Sequence, residues 1–234
     1  MTRVFVAGAT GAVGRPLCRL LVADGWRVIG TTRSAAKPPG LQALGVEPVV
    51  VDVFDAAALH RAVADARPEI VVHQLTDLPP GLDPARMAEA RARNARLREE
   101  GTRNLIAAAV AAGARRMVAQ SIAFAYAPGP QPYSEDSQLD SAQRGVISLE
   151  SQVLAAPLEG VVLRYGRFYG PGTGFEARRT DGAPLHVDAA ADAARRALTR
   201  GRGIYNVAED DGVLSIRKAV AELGWDPAFR LAAT

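Results

Sequence analysis

Residues 3–17, "RVFVAGATGAVGRPL", decide the fold. The apolar run over 4–7 predicts a short buried strand, and Gly8, Gly11 and Gly14 then recur at three-residue intervals before a helical pattern begins. Glycines permit a tight turn and a close backbone approach to a ligand, and a helix N-terminus offers N–H groups to an anion. The stretch predicts a strand–turn–helix unit that binds a dinucleotide pyrophosphate, against the alternative of an ordinary turn without a ligand.

Apolar runs and helical periods keep alternating along the chain. Nearly all-apolar strands separated by helices are typical of a parallel sheet that helices cover on both faces. Further strands are predicted at 27–33, 45–53, 69–75, 115–126 with its exit loop, 158–166 and 203–208. Further helices are predicted at 41–44, 56–66, 84–112, 144–154, 187–199 and 214–223. The sequence therefore predicts an α/β fold with a doubly wound parallel sheet, the Rossmann fold.

Length and composition limit the class of protein. The 234 residues suit one domain over 1–234, and no apolar run is long enough to span a membrane or to act as a signal region. We therefore expect a cytoplasmic protein without a membrane partner. The formal net charge of +3 comes from arginine, and acidic residues interrupt the basic run over 85–103, which favours a solvated helix face over a nucleic-acid site. Cys18 is alone, so neither a disulfide framework nor a Cys-rich metal site is expected.

Several separate motifs carry a resemblance over nearly the whole chain. These are "GATGAVG" (8–14), "VVVDVFD" (49–55), "VVHQLTD" (71–77), "VVLRYGRFYGPG" (161–172), "PLHVDAAADA" (184–193) and "ELGWDP" (222–227). In this combination the sequence resembles the short-chain dehydrogenase/reductase superfamily, specifically its extended and atypical, epimerase/dehydratase-like branch. The resemblance implies an NAD(P)-dependent oxidoreductase or epimerase-like enzyme acting on a small carbonyl or sugar-type substrate.

The resemblance also implies a set of cofactor contacts. The expected residues lie in the glycine turn and at the ends of later strands: Gly8, Thr10, Gly11, Ala12, Val13, Gly14, Arg33, Asp52, Val53, Leu75, Thr76 and Tyr165. Asp52 is expected to meet the adenine, with Val53 packed on it, and Tyr165 to lie beside the nicotinamide.

The end of the second strand bears on the choice between NAD and NADP. An acidic residue there would bind the ribose 2′-hydroxyl of NAD, whereas an arginine can pair with the 2′-phosphate of NADP. Thr32 occupies the acidic position, Arg33 follows it, and Lys37 comes four residues later. We expect NADP, with NAD as the alternative and with Arg33 as a plain solvated charge if that alternative holds.

The catalytic pair of the resembled family is missing. In that family a Tyr-x-x-x-Lys pair on the helix after the fifth strand transfers the proton, and aligning the helix over 144–154 puts Ala142 and Val146 at these positions. No tyrosine of the chain has a lysine four residues later, and Lys37 and Lys218 are the only lysines. The helix is therefore predicted to be structural.

Two polar residues, Ser121 and Tyr126, leave the fifth strand at the edge where a doubly wound fold binds its ligand. We predict them as the catalytic residues, with Tyr126 as an acid for carbonyl or enone reduction, because a phenol without a neighbouring lysine stays protonated near neutral pH. The alternatives are that both are structural, or that the proton comes from His73, His186, solvent or the substrate.

The part of the chain expected to cover the substrate is short. Only nine residues separate "YGPGTG" from "PLHVD", so a minimal C-terminal cap is expected mainly from 166–188 and 204–234. Members of the resembled family dimerise through the helices that correspond to 84–112 and 145–155, and a homodimer of this kind is one expectation. The rival to an enzyme is a non-catalytic, NADP-sensing regulator or scaffold, because the fold alone does not choose between them.

Overall fold

The computed structural model describes residues 2–232 and contains nine strands within that range. They are β1 (Arg3–Ala7), β2 (Arg27–Thr32), β3 (Glu47–Val50), β4 (Ile70–His73), β5 (Arg116–Ile122), β6 (Glu159–Tyr165), β7 (Arg167–Tyr169), β8 (Pro184–His186) and β9 (Gly203–Val207). Seven of them form a parallel sheet in the order β3-β2-β1-β4-β5-β6-β9. The predicted doubly wound parallel sheet is confirmed.

Helices cover both faces of this sheet. They are α1 (Gly14–Ala23), α2 (Pro38–Gln42), α3 (Ala56–Ala66), α4 (Met87–Arg96), α5 (Thr102–Ala111), α6 (Arg144–Ala155) and α7 (Val187–Ala197). Alternate residues of each strand point to opposite faces, so Val4 and Val6 pack towards α1 and α7, while Phe5 packs towards α3 and α5. Two apolar cores result, one on each face.

The strand order reverses beside β1. β1 pairs with β2 on one side and with β4 on the other, so a crevice opens between the chain segments that leave their carboxyl ends. This topological switch point is where open α/β sheets bind ligands.

The long predicted helix over 84–112 is continuous but not uniform. A short 3-10 turn (Pro84–Arg86) precedes α4, and a π-helical turn (Leu97–Gly101) joins α4 to α5. α6 packs against this stretch within the same chain, where a Cβ on Gly145 would lie 3.1 Å from Ala95 Cα. The predicted homodimer contact through these helices stays a prediction.

The C-terminal part differs in detail from the sequence-based expectation. β9 extends the main sheet, and β7 pairs with β8 in a small separate sheet. The predicted helix over 214–223 is shorter, with a π-helical turn at Ala219–Leu223, because Leu214 bridges to Tyr133. Trp225 is buried and donates a hydrogen bond from Nε1 to the Ala189 carbonyl, which fixes the segment after β9 against α7. Within residues 2–232, no helix is long and apolar enough to cross a membrane.

Candidate functional site

The glycine turn after β1 is closely packed. Gly8 has a φ of +93°, which favours glycine, and a Cβ on it would lie 2.6 Å from the Gln74 carbonyl oxygen. Its N–H donates to Thr31 Oγ1 at 3.2 Å, and its carbonyl accepts from the Gly11 N–H at 3.0 Å. A Cβ on Gly14 would collide with that same carbonyl, so two of the three glycines are required for packing.

Gly11 has a different role. The nearest atom to a Cβ on Gly11 is the Gly8 carbonyl oxygen, at 3.3 Å, and its backbone lines a cavity of about 370 Å³. A side chain here would fill space at the start of α1, where a helix N-terminus favours an anion. The residues present therefore fit a dinucleotide pyrophosphate.

This first cavity lies at the carboxyl ends of β1, β2 and β4, in the switch-point crevice. Its lining includes seven of the predicted cofactor residues: Gly8, Thr10, Gly11, Arg33, Val53, Leu75 and Thr76. Its volume falls within the range of about 300–1,000 Å³ that is usual for ligand sites.

The other five predicted cofactor residues lie outside this lining. Ala12, Val13 and Gly14 form the entry into α1. Asp52 is exposed, and its carboxylate accepts a hydrogen bond from the Phe54 N–H at 2.9 Å. Tyr165 is fully buried; its hydroxyl donates to the Ala190 carbonyl, and burial raises its pKa well above the ordinary value. Their roles as cofactor contacts stay predictions.

Cationic and hydroxyl side chains gather at the β2 end of the cavity. Arg33, Ser34 and Lys37 all line it, and Thr32 Oγ1 accepts from the Ser34 N–H at 3.1 Å. Arg33 also pairs with Asp77, which lines the same cavity, 3.3 Å from Nη2 to Oδ1. A phosphate bound here would meet two positive charges, one of which is shared with a carboxylate.

Sequence reasoning did not predict a role for Gln74. This residue lines the first cavity and is 5% exposed; its Nε2 donates to Tyr165 Oη at 3.3 Å. Within residues 2–232, its Oε1 is the buried side-chain atom that has no hydrogen-bond partner. Buried polar atoms are usually paired, so a ligand with N–H or O–H donors, such as a dinucleotide, fits this position. A glutamine directly after a buried strand was the available signal.

The predicted catalytic Ser121 belongs to a buried polar network. The β5–β6 register places it opposite Arg164, and its hydroxyl donates to Glu150 Oε1 at 2.6 Å. Arg164 donates to both oxygens of Glu150, at 3.0 and 2.7 Å, and both side chains are 5% exposed or less. Glu150 lies on the buried face of α6, and a charge among apolar helix positions was the signal that sequence reasoning overlooked.

Tyr126 joins the same network from the other side of Arg164. Its hydroxyl accepts from Arg164 Nη1 at 2.8 Å and donates to Asn206 Oδ1 at 2.6 Å. Burial raises the pKa of Tyr126, an effect that Arg164 opposes, so the phenol is protonated near neutral pH. Ser121 and Tyr126 are thus linked through Arg164 and Glu150, and both hydroxyl protons are donated within the protein.

The helix positions that would carry the family's catalytic pair are inert. Ala142 is exposed just before α6, and Val146 is buried in the α6 packing face. Of the two lysines, Lys37 lines the first cavity, and Lys218 donates to the Ile204 carbonyl at 2.9 Å.

Two of the three histidines have local structural partners. His73 is fully buried; its Nδ1 accepts from the Leu75 N–H, its Nε2 lies 3.1 Å from Thr102 Oγ1, and burial lowers its pKa to about 4. His186 caps α7 by accepting from the Asp188 N–H, and burial lowers its pKa. His60 is exposed on α3.

A second cavity, of about 200 Å³, lies beyond the carboxyl ends of β5 and β6. Phe124, Tyr126, Tyr133, Arg167 and Asp181 are among the residues that line it. Of the two predicted catalytic residues, Tyr126 therefore borders a cavity, whereas Ser121 lies beneath it in the network. Within residues 2–232, no group of three or more His, Cys, Asp or Glu side chains is placed to hold a metal ion.

Known proteins resemble the chain in both sequence and fold. A family model described as NAD(P)H-binding matches residues 8–196. The 3-diazoavenalumate denitrifying reductase of a Streptomyces species is 48% identical over 201 residues, which cover 79% of this chain and 62% of that protein. The ceramide reductase of Caulobacter vibrioides is 33% identical over 169 residues, which cover 72% of this chain and 47% of that protein. The chain thus spans less than two thirds of the length of either relative.

Solved structures match over almost the whole chain at low identity. The UDP-glucose 4-epimerase of Thermotoga maritima gives a TM-score of 0.80 at 19% identity and covers 98% of this chain and 94% of that one. The UDP-glucose 4-epimerase of Thermus thermophilus, in complex with NAD, gives a TM-score of 0.79 at 22% identity, and the match covers 98% of this chain and 95% of that one. At these identities the likeness concerns the fold alone.

Proposed function

Since the chain belongs to the NAD(P)H-binding family, we propose that it is a reductase that uses NADPH to deliver a hydride to a small arenediazonium ion. Family membership confirms the predicted NAD(P)-type cofactor and the resemblance to epimerase-like short-chain dehydrogenases. The substrate, the preference for NADP and the proton chemistry belong to the proposal.

One observation carries this choice: the protein offers no ready proton donor or acceptor where the family has one. Ala142 and Val146 replace the pair, and the hydroxyls of Ser121 and Tyr126 are held by Glu150 and Asn206. Carbonyl reduction needs a proton delivered, and sugar epimerisation needs one removed and returned. A reaction that transfers only a hydride suits this site better.

Reduction of a diazonium group requires a hydride but no proton. When bound, the reduced dinucleotide supplies a hydride, and an arenediazonium ion ArN₂⁺ that takes it up becomes ArH and N₂ while the dinucleotide is oxidised, with no net proton consumed. The Streptomyces relative, whose name describes a denitrifying reductase of a diazo compound, supports this substrate class.

The protein's own part is binding and orientation. The glycine turn would hold the pyrophosphate, and Arg33, Ser34 and Lys37 would hold the 2′-phosphate, which favours NADP over NAD. Gln74 would accept a hydrogen bond from the bound ligands through its unpaired Oε1. Ligands in the two cavities would meet at the carboxyl ends of β4 and β5.

A second candidate is the reduction of a carbonyl or enone with Tyr126 as acid and Ser121 in support. It is favoured by one observation, namely that Tyr126 borders the second cavity with its phenol protonated. For this reaction Tyr126 would have to release Asn206 and donate to substrate.

The experiment offers the purified protein NADPH with 4-carboxybenzenediazonium or, separately, 4-carboxybenzaldehyde. NADPH consumption and the arene or alcohol formed are measured, and the Gly11→Val variant corrects for the uncatalysed reaction. We expect catalysed arene formation that Tyr126→Phe leaves within about twofold of the parent. Alcohol formation that is lost in Tyr126→Phe would support the second candidate instead. NADPH binding with turnover of neither probe would overturn both and favour a non-catalytic NADP sensor.

A further inference from the structure

The second cavity combines aromatic surface with the guanidinium group of Arg167. We infer that it binds the ring and carboxylate of a single-ring aromatic acid, which names the substrate class of the proposed reductase and in that sense rests on the proposed function. Four residues carry the argument: Phe124, Tyr126, Tyr133 and Arg167.

The aromatic side chains form flat apolar surface. The rings of Tyr126 and Tyr133 are stacked, with centroids 5.1 Å apart and planes within 5° of each other. Phe124 is 47% exposed, although it borders a cavity at the edge of the sheet. Exposed aromatic surface at a concave site favours a planar apolar ligand, because ring contacts add attraction to the burial of area.

Arg167 is the cationic side chain that lines the cavity, and Asp181 is the acidic one. Arg167 lies 3.5 Å from Asp181, but Asp181 makes its closer contacts with Arg179, at 2.8 and 2.6 Å. The hydrogen bond from Arg179 is the main cause that lowers the pKa of Asp181 to about 2, so this carboxylate is ionised. Asp181 is thus bound mainly by Arg179, which leaves the partly exposed guanidinium of Arg167 able to bind a carboxylate of a ligand.

The guanidinium of Arg167 is placed beside the ring surface. Its Cζ lies 4.7 Å from the centroid of the Phe124 ring, and its side chain is 37% exposed. A planar guanidinium binds a carboxylate through two parallel hydrogen bonds. An arginine stacked on a phenylalanine can therefore hold the acid group of a ligand whose ring contacts the same aromatic surface.

Size and position agree with this ligand. A cavity of about 200 Å³ is smaller than the usual range for drug-sized ligands, so it suits one ring rather than a nucleotide sugar. Phe124 follows β5, and Arg167 begins β7 directly after β6. Both lie on the β5–β6 side of the switch point, opposite the β2 end where the 2′-phosphate would bind, so a hydride acceptor belongs here.

The test measures binding without turnover, by calorimetry with the full chain and NADP⁺. The probes are trans-cinnamate and its neutral analogue, trans-cinnamamide. We expect cinnamate to bind at least about tenfold more tightly than cinnamamide. Arg167→Gln should remove this difference, whereas Arg178→Gln, an exposed arginine paired with Glu209, should keep it. Tyr133→Leu should weaken both probes.

Equal binding of the two probes, or cinnamate binding that is unchanged in Arg167→Gln, would overturn the inference. Failure of the proposed function is distinguishable, because cinnamate binding does not require hydride transfer. A protein that binds cinnamate through Arg167 but consumes no NADPH with any diazonium probe would retain the site and lose the reductase. Arg167→Gln should keep NADPH affinity within about twofold, since Arg167 lies outside the first cavity, and a larger loss would also count against the assignment.

Discussion

Replacing Glu150 with glutamine would leave the guanidinium of Arg164 buried without its counter-charge. The two side chains are 5% and 4% exposed, and Glu150 accepts three hydrogen bonds, from Ser121 and from two nitrogens of Arg164. Glutamine keeps the shape and one carbonyl oxygen but removes the negative charge. If the network is structural, its loss must appear in the free energy of unfolding.

The expected magnitude follows from burial. Breaking a fully buried ion pair by removing one partner costs about 3–5 kcal/mol, and the oxygen that glutamine retains places Glu150→Gln at about 3 kcal/mol. The control is Glu159→Gln, because Glu159 makes a similar 2.6 Å contact with Arg116 but is 58% exposed. An exposed carboxylate in such a pair contributes about 0.2–1 kcal/mol. Replacing Arg164 with methionine in the Glu150→Gln background should recover part of the loss, since it removes the stranded charge.

Urea unfolding followed by tryptophan fluorescence measures these differences, with Trp225 as a buried probe that is 2% exposed. Linear extrapolation gives each free energy, and an unchanged slope shows that the unfolding transition is comparable between variants. The reasoning is refuted if Glu150→Gln loses no more than Glu159→Gln. In that case the network would not stabilise the fold, and its polar groups would be free for catalysis.

Three further outcomes are expected. Gly11→Val should abolish NADPH binding in a titration while leaving the unfolding midpoint nearly unchanged, because its side chain would enter the cavity rather than the core; normal affinity would reject the glycine turn as the pyrophosphate site. Arg33→Ala should weaken the binding of NADPH by about 1.5–3 kcal/mol and the binding of NADH far less. Equal losses of affinity for the two cofactors would mean that Arg33 does not bind the 2′-phosphate. Burial, aided by Arg98, lowers the pKa of His73 to about 4, so below pH 6.5 the imidazole binds a proton in the unfolded chain but stays neutral in the folded one. The free energy of unfolding should therefore fall by about 3 kcal/mol between pH 6.5 and pH 4. A folded His73→Gln protein whose stability has the same pH dependence would contradict this.

Local signals in the sequence were enough for several elements in the first half of the fold. The apolar residues before Gly8 were enough to predict β1 and the turn that follows it. The helix predicted over 56–66 has the same bounds as α3, which Asp55 caps by accepting a hydrogen bond from the Ala58 N–H. By contrast, the predicted helix over 214–223 starts late because Leu214 and Ser215 pair with Tyr133, which lies in a distant part of the sequence. A single-sequence pattern contains no information about such distant pairing.

In the candidate site, too, contacts between sequence neighbours could be predicted and contacts between distant elements could not. Contacts made by a turn and its flanking residues, such as Gly11 and Arg33, could be predicted because neighbouring residues in the sequence stay neighbours in space. The partners of Ser121 and Tyr126 could not, because Glu150, Arg164 and Asn206 come from three separate elements. Tyr126 borders the second cavity and Ser121 is buried beneath it, and both hydroxyl protons are donated to groups that the sequence does not reveal.

The central claim is hydride transfer without a proton from the protein. The most direct test is a pair of isotope effects on kcat/KM for 4-carboxybenzenediazonium, one with NADPH deuterated at the transferring position of the nicotinamide and one in D₂O. We predict a clear slowing with deuterated NADPH and a ratio near one in D₂O, both unchanged in Tyr126→Phe. A rate that is insensitive to deuterated NADPH but slowed in D₂O, with a loss of about tenfold or more in Tyr126→Phe, or roughly 1.4 kcal/mol of barrier, would contradict it.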